Sequence, residues 1–172
     1  TCESLGSKFG NKYLGTIGDI STYSFYYSHQ ISSIEGGMIC CKTKEDFDII
    51  KSLRSHGWSK GLTNQRKFEK KNKNINKNFL FVNSGFNLRP TEIQAAIGIS
   101  QFKSLDFFIT QRNKNRNLII KSLKNDKRWN NQVQFLSENS KVRASWFGIS
   151  MLIHPMYKDK LKQILKSLDR SG

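Results

Sequence analysis

The 172-residue sequence predicts an α/β fold, in which short strands alternate with helices. Its first forty residues contain short runs rich in Ile, Tyr, Phe and Thr that are separated by glycines, a pattern typical of strands. After the segment "MICCKT" the apolar residues change to the spacing of an amphipathic helix, and helical patterns return after residue 90. A strand followed by a helix is the local unit of α/β folds.

Two strands are predicted before the first helix, over "DISTYSFYYS" at residues 19–28 and over "MICC" at residues 38–41. The helix begins after Thr43, which stands three residues before the acidic Asp46, as in an N-terminal capping box. The apolar residues that follow are at helical spacing: Phe47, Ile50 and Leu53. Gly57 then predicts the end of the helix, since glycine readily adopts the left-handed conformation that terminates helices.

Four later elements complete the predicted order. Pro90 and Thr91 mark the start of a helix that runs through two adjacent alanines. A second helix is predicted over about residues 105–123, from its apolar spacing. A strand is predicted over "RASWFGISMLI" at residues 143–153, and a final amphipathic helix over "KDKLKQILKSL" at residues 158–168.

The net charge of +16 is concentrated in part between Lys60 and Lys77, where seven Lys or Arg residues accompany one acid, Glu69. A basic segment makes nucleic acid, an anionic membrane and phosphorylated ligands candidate partners. Most of this segment is Lys and Asn, however, which is a low-complexity composition typical of loops. We therefore expect a solvated loop rather than a nucleic-acid site, and we do not predict nucleic acid as a partner.

The composition also indicates the cellular compartment in which the protein is expected. Hydrophobic residues make up 37% of the chain, enough for a buried core, but no apolar run approaches the roughly 20 residues of a membrane span. The three cysteines are odd in number, and the adjacent Cys40 and Cys41 would point to opposite faces of a strand. That arrangement suits neither a disulfide framework nor a metal centre. We predict reduced thiols in a cytoplasmic protein, with no membrane partner and no metal.

The chain has no initiating Met, and it stops at "DRSG", directly after a predicted helix. We therefore expect a fragment of a longer protein, and we expect the fragment by itself to be inactive.

Four motifs occur in order along the chain: "CESLGSKFGNKYLGTIGDISTYSFYYSH", "EGGM", "LRSHGW" and "GFNLRPTEIQAAIG". Together they resemble the StrS-type (DegT/StrS) nucleotide-sugar aminotransferase family, whose members are pyridoxal 5'-phosphate (PLP) proteins of fold type I. The resemblance is strong over residues 1–116 and looser beyond them. It implies that residues 1–104 are the C-terminal part of the large mixed-sheet domain that binds PLP, with a basic insertion loop at residues 58–79. Residues 105–172 would then be a linking helix and part of the small C-terminal α+β domain.

The family's cofactor lysine falls five residues after the serine of its "SF" motif and six residues before "EGG". In this sequence that position is His29, between Ser24 and Glu35. An imidazole can carry protons, but it cannot form the covalent imine by which lysine holds PLP. Within the family, this exchange resembles the sugar 3-dehydratases, and it implies that His29 is the catalytic proton carrier.

The resemblance to that branch implies a defined reaction. Pyridoxamine 5'-phosphate (PMP), held without a covalent bond, allows the C3 hydroxyl of a 4-keto-6-deoxy sugar to leave, and L-glutamate then regenerates PMP. The nucleotide-sugar substrate would be GDP-4-keto-6-deoxymannose, and the deoxysugar would serve O-antigen and lipopolysaccharide biosynthesis. The alternative is a homologue that is catalytically silent and has a regulatory or sugar-binding role.

A neighbouring branch of dehydrases also uses histidine but adds an iron-sulfur cluster, which is held by cysteines in the insertion after "HG". Residues 57–85 contain no cysteine, and thiolates are the ligands that such a cluster needs. We therefore expect no iron-sulfur cluster.

Four other residues acquire roles from the resemblance. Ser24 matches the serine that binds the cofactor phosphate, and Glu3 matches the residue beside the pyridine ring. The aspartate that pairs with the ring nitrogen would directly precede Thr1. Asn87 matches the asparagine that reaches the phosphate of the neighbouring subunit, which implies a homodimer with shared active sites. His56 matches a histidine near the sugar.

Three of these assignments have a purely structural alternative. Ser24 could end a strand, Asn87 could cap the helix that starts near Pro90, and His56 could help to close the helix before Gly57.

Overall fold

The structure of the protein is a computed structural model that describes residues 1–170. Within them strands and helices are mixed, as predicted. The strands are Lys8–Phe9 (β1), Lys12–Tyr13 (β2), Ile20–Ser24 (β3), Gly37–Cys41 (β4), Val133–Phe135 (β5), Val142–Arg143 (β6) and Met151–Ile153 (β7). The α-helices are Lys44–Arg54 (α1), Gln65–Lys71 (α2), Glu92–Phe102 (α3), Leu105–Asn125 (α4) and Leu161–Arg170 (α5). Short 3-10 helices cover Lys77–Phe79 and Pro155–Lys160. These strands pair antiparallel in small sheets of order β2-β1-β6, β3-β4 and β5-β7.

Strands β3 and β4 form a regular ladder that ends at the Ser24–Gly37 pair. Strand β4 includes Cys40 and Cys41, which confirms that these adjacent cysteines lie on a strand. All three cysteines of the chain are free thiols in the structure.

The strand predicted over residues 19–28 is too long, because the chain leaves the ladder after Ser24. The carbonyl of Phe25 accepts a hydrogen bond from the amide of Ser33 at 2.9 Å, so the residues between them form a closed loop. This loop, residues 25–33, carries His29 beyond the end of the strand. We call it the His29 loop.

Helix α1 begins and ends as the sequence predicts. The hydroxyl of Thr43 accepts a hydrogen bond from the amide of Asp46 at 3.0 Å. At the other end, the amide of Gly57 donates to the carbonyl of Ser52 at 2.7 Å, and Gly57 has a φ of +85°. A β-carbon at Gly57 would also collide with the backbone oxygen of Asn83. Only glycine satisfies both conditions.

The segment from Lys60 to Lys77 is largely exposed, as its composition predicts, but it is not an irregular loop, since it contains helix α2. The segment is anchored on α1 by the buried carboxylate of Asp48, which accepts hydrogen bonds from the amide of Thr63, at 2.9 Å, and from its hydroxyl. Helix α2 fully buries none of its residues. The apolar periodicity by which a helix is predicted is therefore missing from this part of the sequence.

Helix α3 starts with a complete capping box, at the position predicted. The hydroxyl of Thr91 accepts from the amide of Gln94 at 3.4 Å, and the side-chain oxygen of Gln94 accepts from the amide of Thr91 at 2.8 Å. The N-cap is therefore Thr91 and not Asn87. The side chain of Gln94 also donates to the carbonyl of Glu35 at 2.9 Å, which ties α3 to the chain that follows the His29 loop.

Helix α4 matches the prediction over residues 105–123, but the single strand predicted over residues 143–153 is wrong. The segment divides into β6 and β7 with irregular chain between them. There, the side chain of Asn113 on α4 donates to the carbonyl of Ala144 at 2.9 Å and accepts from the amide of Trp146 at 3.2 Å. These backbone groups therefore pair with a helix side chain instead of a neighbouring strand.

The C-terminal helix is present, but α5 begins at Leu161 because a 3-10 helix occupies the preceding residues. The core of the described chain is small. Its buried apolar side chains are Tyr23, Ile31, Leu62, Leu80 and Leu105. Within residues 1–170, no helix has both the length and the apolar character needed to cross a bilayer.

The contact between Asp48 and Thr63 leads to a prediction that depends on pH. Burial, the largest single influence, would raise the pKa of the Asp48 carboxyl, but the hydrogen bonds from Thr63 and from the Asn64 amide, together with the Lys51 charge, lower the pKa below its ordinary value. The ionised Asp48 carboxyl therefore stabilises the folded chain fully above the pKa of about 4 that it has in the unfolded chain. This stabilisation is lost as the pH falls through the lower pKa of Asp48 in the folded chain.

We expect Thr63→Val, which removes the hydroxyl donor, to loosen residues 60–79, whereas Thr63→Ser keeps the donor and serves as the control. Amide hydrogen exchange in that segment should become about ten-fold faster or more at pH 7 in the valine variant. The difference in exchange rate between Thr63→Val and the wild type should become smaller toward pH 3, once each rate is normalised to the intrinsic exchange rate at that pH. Equal exchange in the valine variant and the wild type at pH 7 would contradict the anchoring role of Asp48.

Candidate active site

His29 lies in a turn on the His29 loop, where its amide donates to the carbonyl of Tyr26 at 3.0 Å. Its own carbonyl accepts from Nη2 of Arg112 on α4 at 3.1 Å, a contact across 83 residues of sequence. The backbone at His29 is therefore fixed both by the loop itself and by a helix that is distant in the sequence.

The imidazole of His29 lies between two aromatic rings. Its centroid is 6.1 Å from that of Tyr26, edge-on at 64°, and 5.4 Å from that of Phe147, with 33° between the planes. The Nδ1 atom is buried and has no hydrogen-bond partner within residues 1–170. Buried polar atoms are usually paired, so Nδ1 retains a hydrogen-bonding capacity that a ligand or a reacting atom can use.

The structure places Glu3 beside His29. One potential ligand atom of each of Cys2, Glu3 and His29 lies within 4.8 Å of the other two. The backbone of Glu3 is held by the buried side chain of Gln30, whose Nε2 donates to the Glu3 carbonyl at 2.5 Å. Thiol, carboxylate and imidazole form a donor set that zinc also accepts. The absence of a metal stays a prediction.

Ser24 is the last residue of β3, and it is partly buried. Its hydroxyl accepts a hydrogen bond from the amide of Tyr26 at 3.3 Å. Within residues 1–170 this hydroxyl donates to no recorded acceptor, so its proton is available to an anionic oxygen such as a phosphate. Ser24 therefore both ends the strand and presents a donor at the base of the His29 loop.

His56 and Asn87 form a second group. The amide of His56 donates to the carbonyl of Phe86 at 2.7 Å, and Ser55 pairs with Asn87 in an isolated antiparallel bridge. Both side chains are exposed, and His56 has a φ of +61°. Within the described chain, no recorded hydrogen bond or ring contact joins this group to His29. A non-glycine residue with positive φ is uncommon and is often found at functional sites.

Two cavities lie near these residues. One of about 240 Å³ opens beside His29, and its lining includes Tyr27, Gln101 and Arg112. Pockets for small molecules commonly measure roughly 300–1,000 Å³. A larger apolar groove of about 870 Å³ runs along β4, α1 and residues 86–90, and none of the five predicted site residues lines it. The residues described here thus enclose only part of a site large enough for a nucleotide sugar.

Comparison with known proteins decides the family. The sequence profile of the DegT/DnrJ/EryC1/StrS aminotransferase family matches residues 1–172. This chain belongs to that family. The resemblance inferred from the four sequence motifs is thus confirmed.

Two curated relatives in this family carry the same name. The chain is 36% identical over 174 residues to GDP-4-keto-6-deoxy-D-mannose 3-dehydratase of Escherichia coli O55:H7, with 99% of this chain and 43% of the relative aligned. It is 33% identical over 173 residues to the protein of that name from Yersinia pseudotuberculosis, with 99% of this chain and 42% of the relative aligned. The chain therefore spans less than half the length of these curated relatives.

Solved structures agree with the family assignment. The structure of E coli GDP-4-keto-6-deoxy-D-mannose-3-dehydratase with bound hydrated PLP gives a TM-score of 0.84 at 34% identity, over all of this chain and 43% of that one. GDP-4-keto-6-deoxymannose-3-dehydratase with a trapped PLP-glutamate geminal diamine gives 0.81 at 33% identity, over all of this chain and 44% of that one. The chain is therefore part of the fold type I PLP-dependent aminotransferase fold, as predicted. The domain boundary at residue 104 stays a prediction.

The donor groups of this chain fit a phosphorylated pyridoxal cofactor. Ser24 offers a hydroxyl proton to a phosphate. Glu3 offers a carboxylate beside the imidazole, and His29 offers a buried nitrogen that no residue of the described chain satisfies.

The sequence did not indicate several residues around His29, namely Cys2, Tyr26, Arg112 and Phe147. Arg112 and Phe147 are far from His29 along the chain, so no spacing rule brings them to it. One local signal was available for Phe147, since Gly148 follows two aromatic residues within the predicted strand. An isolated glycine in a strand pattern indicates a bulge or a break.

Proposed function

We propose that this chain is part of a nucleotide-sugar 3-dehydratase, which uses PLP in its amine form, PMP, and removes the C3 hydroxyl of GDP-4-keto-6-deoxymannose. The observation that carries the proposal is His29, which stands where the resembled family has its cofactor lysine and whose buried Nδ1 has no partner within residues 1–170. The identity of 36% and 33% to two relatives named for this activity supports the choice of substrate.

When bound, the amine form of the cofactor would supply a C–H bond next to its pyridine ring, and the electron pair of that bond, once the proton is removed, can be relayed through C4 of the sugar to expel the C3 hydroxyl. His29 would hold and move the proton that this elimination requires, because an imidazole can act as both general base and general acid. Tyr26 and Phe147 flank the imidazole and would limit the access of water to it. Glu3 would lie beside the pyridine ring, and the Ser24 hydroxyl would donate to the cofactor phosphate.

We also propose a homodimer with shared active sites, in which Asn87 of one subunit reaches the cofactor phosphate of the other. The grouping of Asn87 with His56, apart from His29, supports this arrangement. So do the apolar neighbours of Asn87, since Phe86 is 62% and Leu88 is 68% exposed in the single chain. An exposed apolar surface of this kind is compatible with coverage by a second subunit.

The remaining partners follow from the same proposal. His56 would face the sugar, and L-glutamate would regenerate the amine form of the cofactor. The reaction would take place in the cytoplasm and serve the deoxysugars of O-antigen and lipopolysaccharide.

The direct test is a product assay on the intact protein. With PMP, L-glutamate and GDP-4-keto-6-deoxymannose, it should release ammonia and form the 3-deoxy-4-keto sugar. His29→Asn keeps a polar side chain but cannot carry the proton, and it should slow product formation by about 100-fold or more. Wild-type protein that binds the cofactor and yields neither product would instead be the silent, sugar-binding homologue, and the proposal would be wrong.

Retention of the cofactor gives a prediction that does not depend on turnover. We expect the wild type to lose PLP on dialysis, because an imidazole cannot bond covalently to the aldehyde. His29→Lys should keep PLP and, after borohydride reduction, carry a single covalent label on the residue introduced at position 29. His29→Arg is the matched control, since it has a long cationic side chain without a nucleophilic amine. Mass spectrometry that finds a reduced label on another lysine of the wild type would show that His29 does not occupy the cofactor-lysine position.

The shared active site can be tested by mixing two inactive subunits. A dimer of one His29→Asn chain and one Asn87→Ala chain would contain one site with both residues intact. Random pairing makes half of the dimers mixed, so co-expression should restore about a quarter of the wild-type activity per site. If Asn87 acts within its own subunit, every site in the mixture is defective and no activity returns.

A further inference from the structure

Side chains of α4 fix the segment of residues 144–147 next to the His29 loop. The amide group of Asn113 pairs with the backbone on both sides of Ser145, and the Arg116 guanidinium lies 3.8 Å from the ring centroid of Trp146. Ser145 itself is 3% exposed. Consecutive residues ahead of Phe147 are therefore anchored in large part by α4, which places the Phe147 backbone next to the His29 loop.

Phe147 and Arg112 form a continuous contact with His29. The Phe147 ring lies between the His29 imidazole, at 5.4 Å between centroids, and the Arg112 guanidinium, at 5.7 Å from its carbon to the Phe147 centroid. The same guanidinium donates to the His29 carbonyl at 3.1 Å. Arg112 thus contacts the backbone of His29 directly and its imidazole through the ring of Phe147.

Histidines that carry protons are usually oriented by a hydrogen bond that one ring N–H donates to a carboxylate or a backbone carbonyl. His29 lacks that support at Nδ1, which is buried and unpaired within residues 1–170. Within residues 1–170, the two ring contacts and the neighbouring Cys2 and Glu3 side chains are then what can set the angle of the imidazole. Of the two ring contacts, the contact with Phe147 is closer, and it is fixed by a helix rather than by the loop.

We propose that Phe147 is a positioning residue for His29, and that Arg112 keeps the two residues in place by contacting both of them. This inference rests on the proposed function, because it assigns a role in the proton transfer by His29. Phe147 does not itself react. It restricts the orientation of the imidazole, so that Nδ1, which has no protein partner within residues 1–170, stays available to take up the proton.

Two substitutions at Phe147 separate the ring from the volume that it fills. Phe147→Leu keeps an apolar side chain but removes the aromatic face, and Phe147→Tyr keeps the face. In the intact protein, we expect Phe147→Leu to lower kcat by about 10- to 100-fold with little change in KM for the nucleotide sugar, whereas Phe147→Tyr should retain most of kcat. Arg112→Lys keeps the charge but loses the planar fork, and it should lower kcat in the same direction.

Nuclear magnetic resonance of histidine labelled at the Cε1 carbon measures the contact without turnover. The His29 signal, assigned by its loss in His29→Asn, should carry a ring-current shift in the wild type and in Phe147→Tyr. That shift should be largely lost in Phe147→Leu. Circular dichroism and the thermal midpoint of each variant check that the fold is intact.

The outcomes distinguish the two proposals. An unchanged His29 signal in folded Phe147→Leu, or a changed signal with unchanged kcat, would overturn the positioning role. A wild type that forms no 3-deoxy product would overturn the proposed function, and in that case the positioning role in catalysis falls with it even if the signal moves. Loss of kcat together with the signal in Phe147→Leu, and recovery of both in Phe147→Tyr, supports the inference.

Discussion

The site around His29 depends on a single buried amide, the side chain of Gln30. It is 2% exposed, and its Nε2 lies 2.5 Å from the carbonyl of Glu3 and 3.5 Å from that of Ser145. Gln30 directly follows His29, so this one group holds the His29 loop between the N-terminal segment and the segment that ends at Phe147. Its Oε1 is buried without a partner within residues 1–170. An unpaired buried acceptor costs free energy, so the site accepts a local cost in order to join three segments.

The same demand for hydrogen-bond partners explains why the chain near Phe147 is irregular. A strand ladder would have used the amides and carbonyls of residues 144–146, but here they face side chains instead. Asn113 takes the groups on either side of Ser145, and the Ser145 amide donates to the hydroxyl of Ser7 at 2.8 Å. The apolar and aromatic residues of this segment have a high strand propensity, yet these tertiary hydrogen bonds override it. A regular strand would not present Phe147 to the imidazole in this way.

Features that are set by residues close together in the sequence could be predicted from it, and features that depend on distant residues could not. The starts of α1 and α3 were predictable because Thr43 and Thr91 form their caps with residues only three positions away. Helix α2 was missed because none of its residues is fully buried, so the Lys- and Asn-rich segment carries no apolar periodicity, and contacts that hold the segment, such as that of Thr63 with Asp48, lie ahead of the helix. His29 was predicted as a site residue by its spacing from motifs of a recognised family, and that role stays a prediction.

The residues that contact His29 could not be predicted from the sequence. The contact of Arg112 with His29 spans 83 residues, and Phe147 comes from a segment whose local pattern predicted a strand. Helical periodicity shows that a residue such as Arg112 lies on a particular face, but it does not show which loop that face contacts. Only the tertiary structure brings these side chains together, and the aromatic contacts that orient the imidazole could therefore not be inferred from spacing.

In the proposed function His29 occupies the cofactor-lysine position, and this changes what the rest of the site has to do. A lysine would retain PLP by a covalent bond, whereas here the proposed contacts to the phosphate and the ring have to retain it alone. Each residue proposed to contact the cofactor lies where a hydrogen bond or a strand pair already holds the backbone. Ser24 is paired with Gly37 at the end of a ladder, Glu3 is held by Gln30, and Asn87 is bridged to Ser55. Groups that are ordered before binding lose little conformational entropy on binding, so their contacts contribute more fully to affinity. In the function that we propose, this rigidity replaces the missing covalent bond in keeping the cofactor aligned with the imidazole.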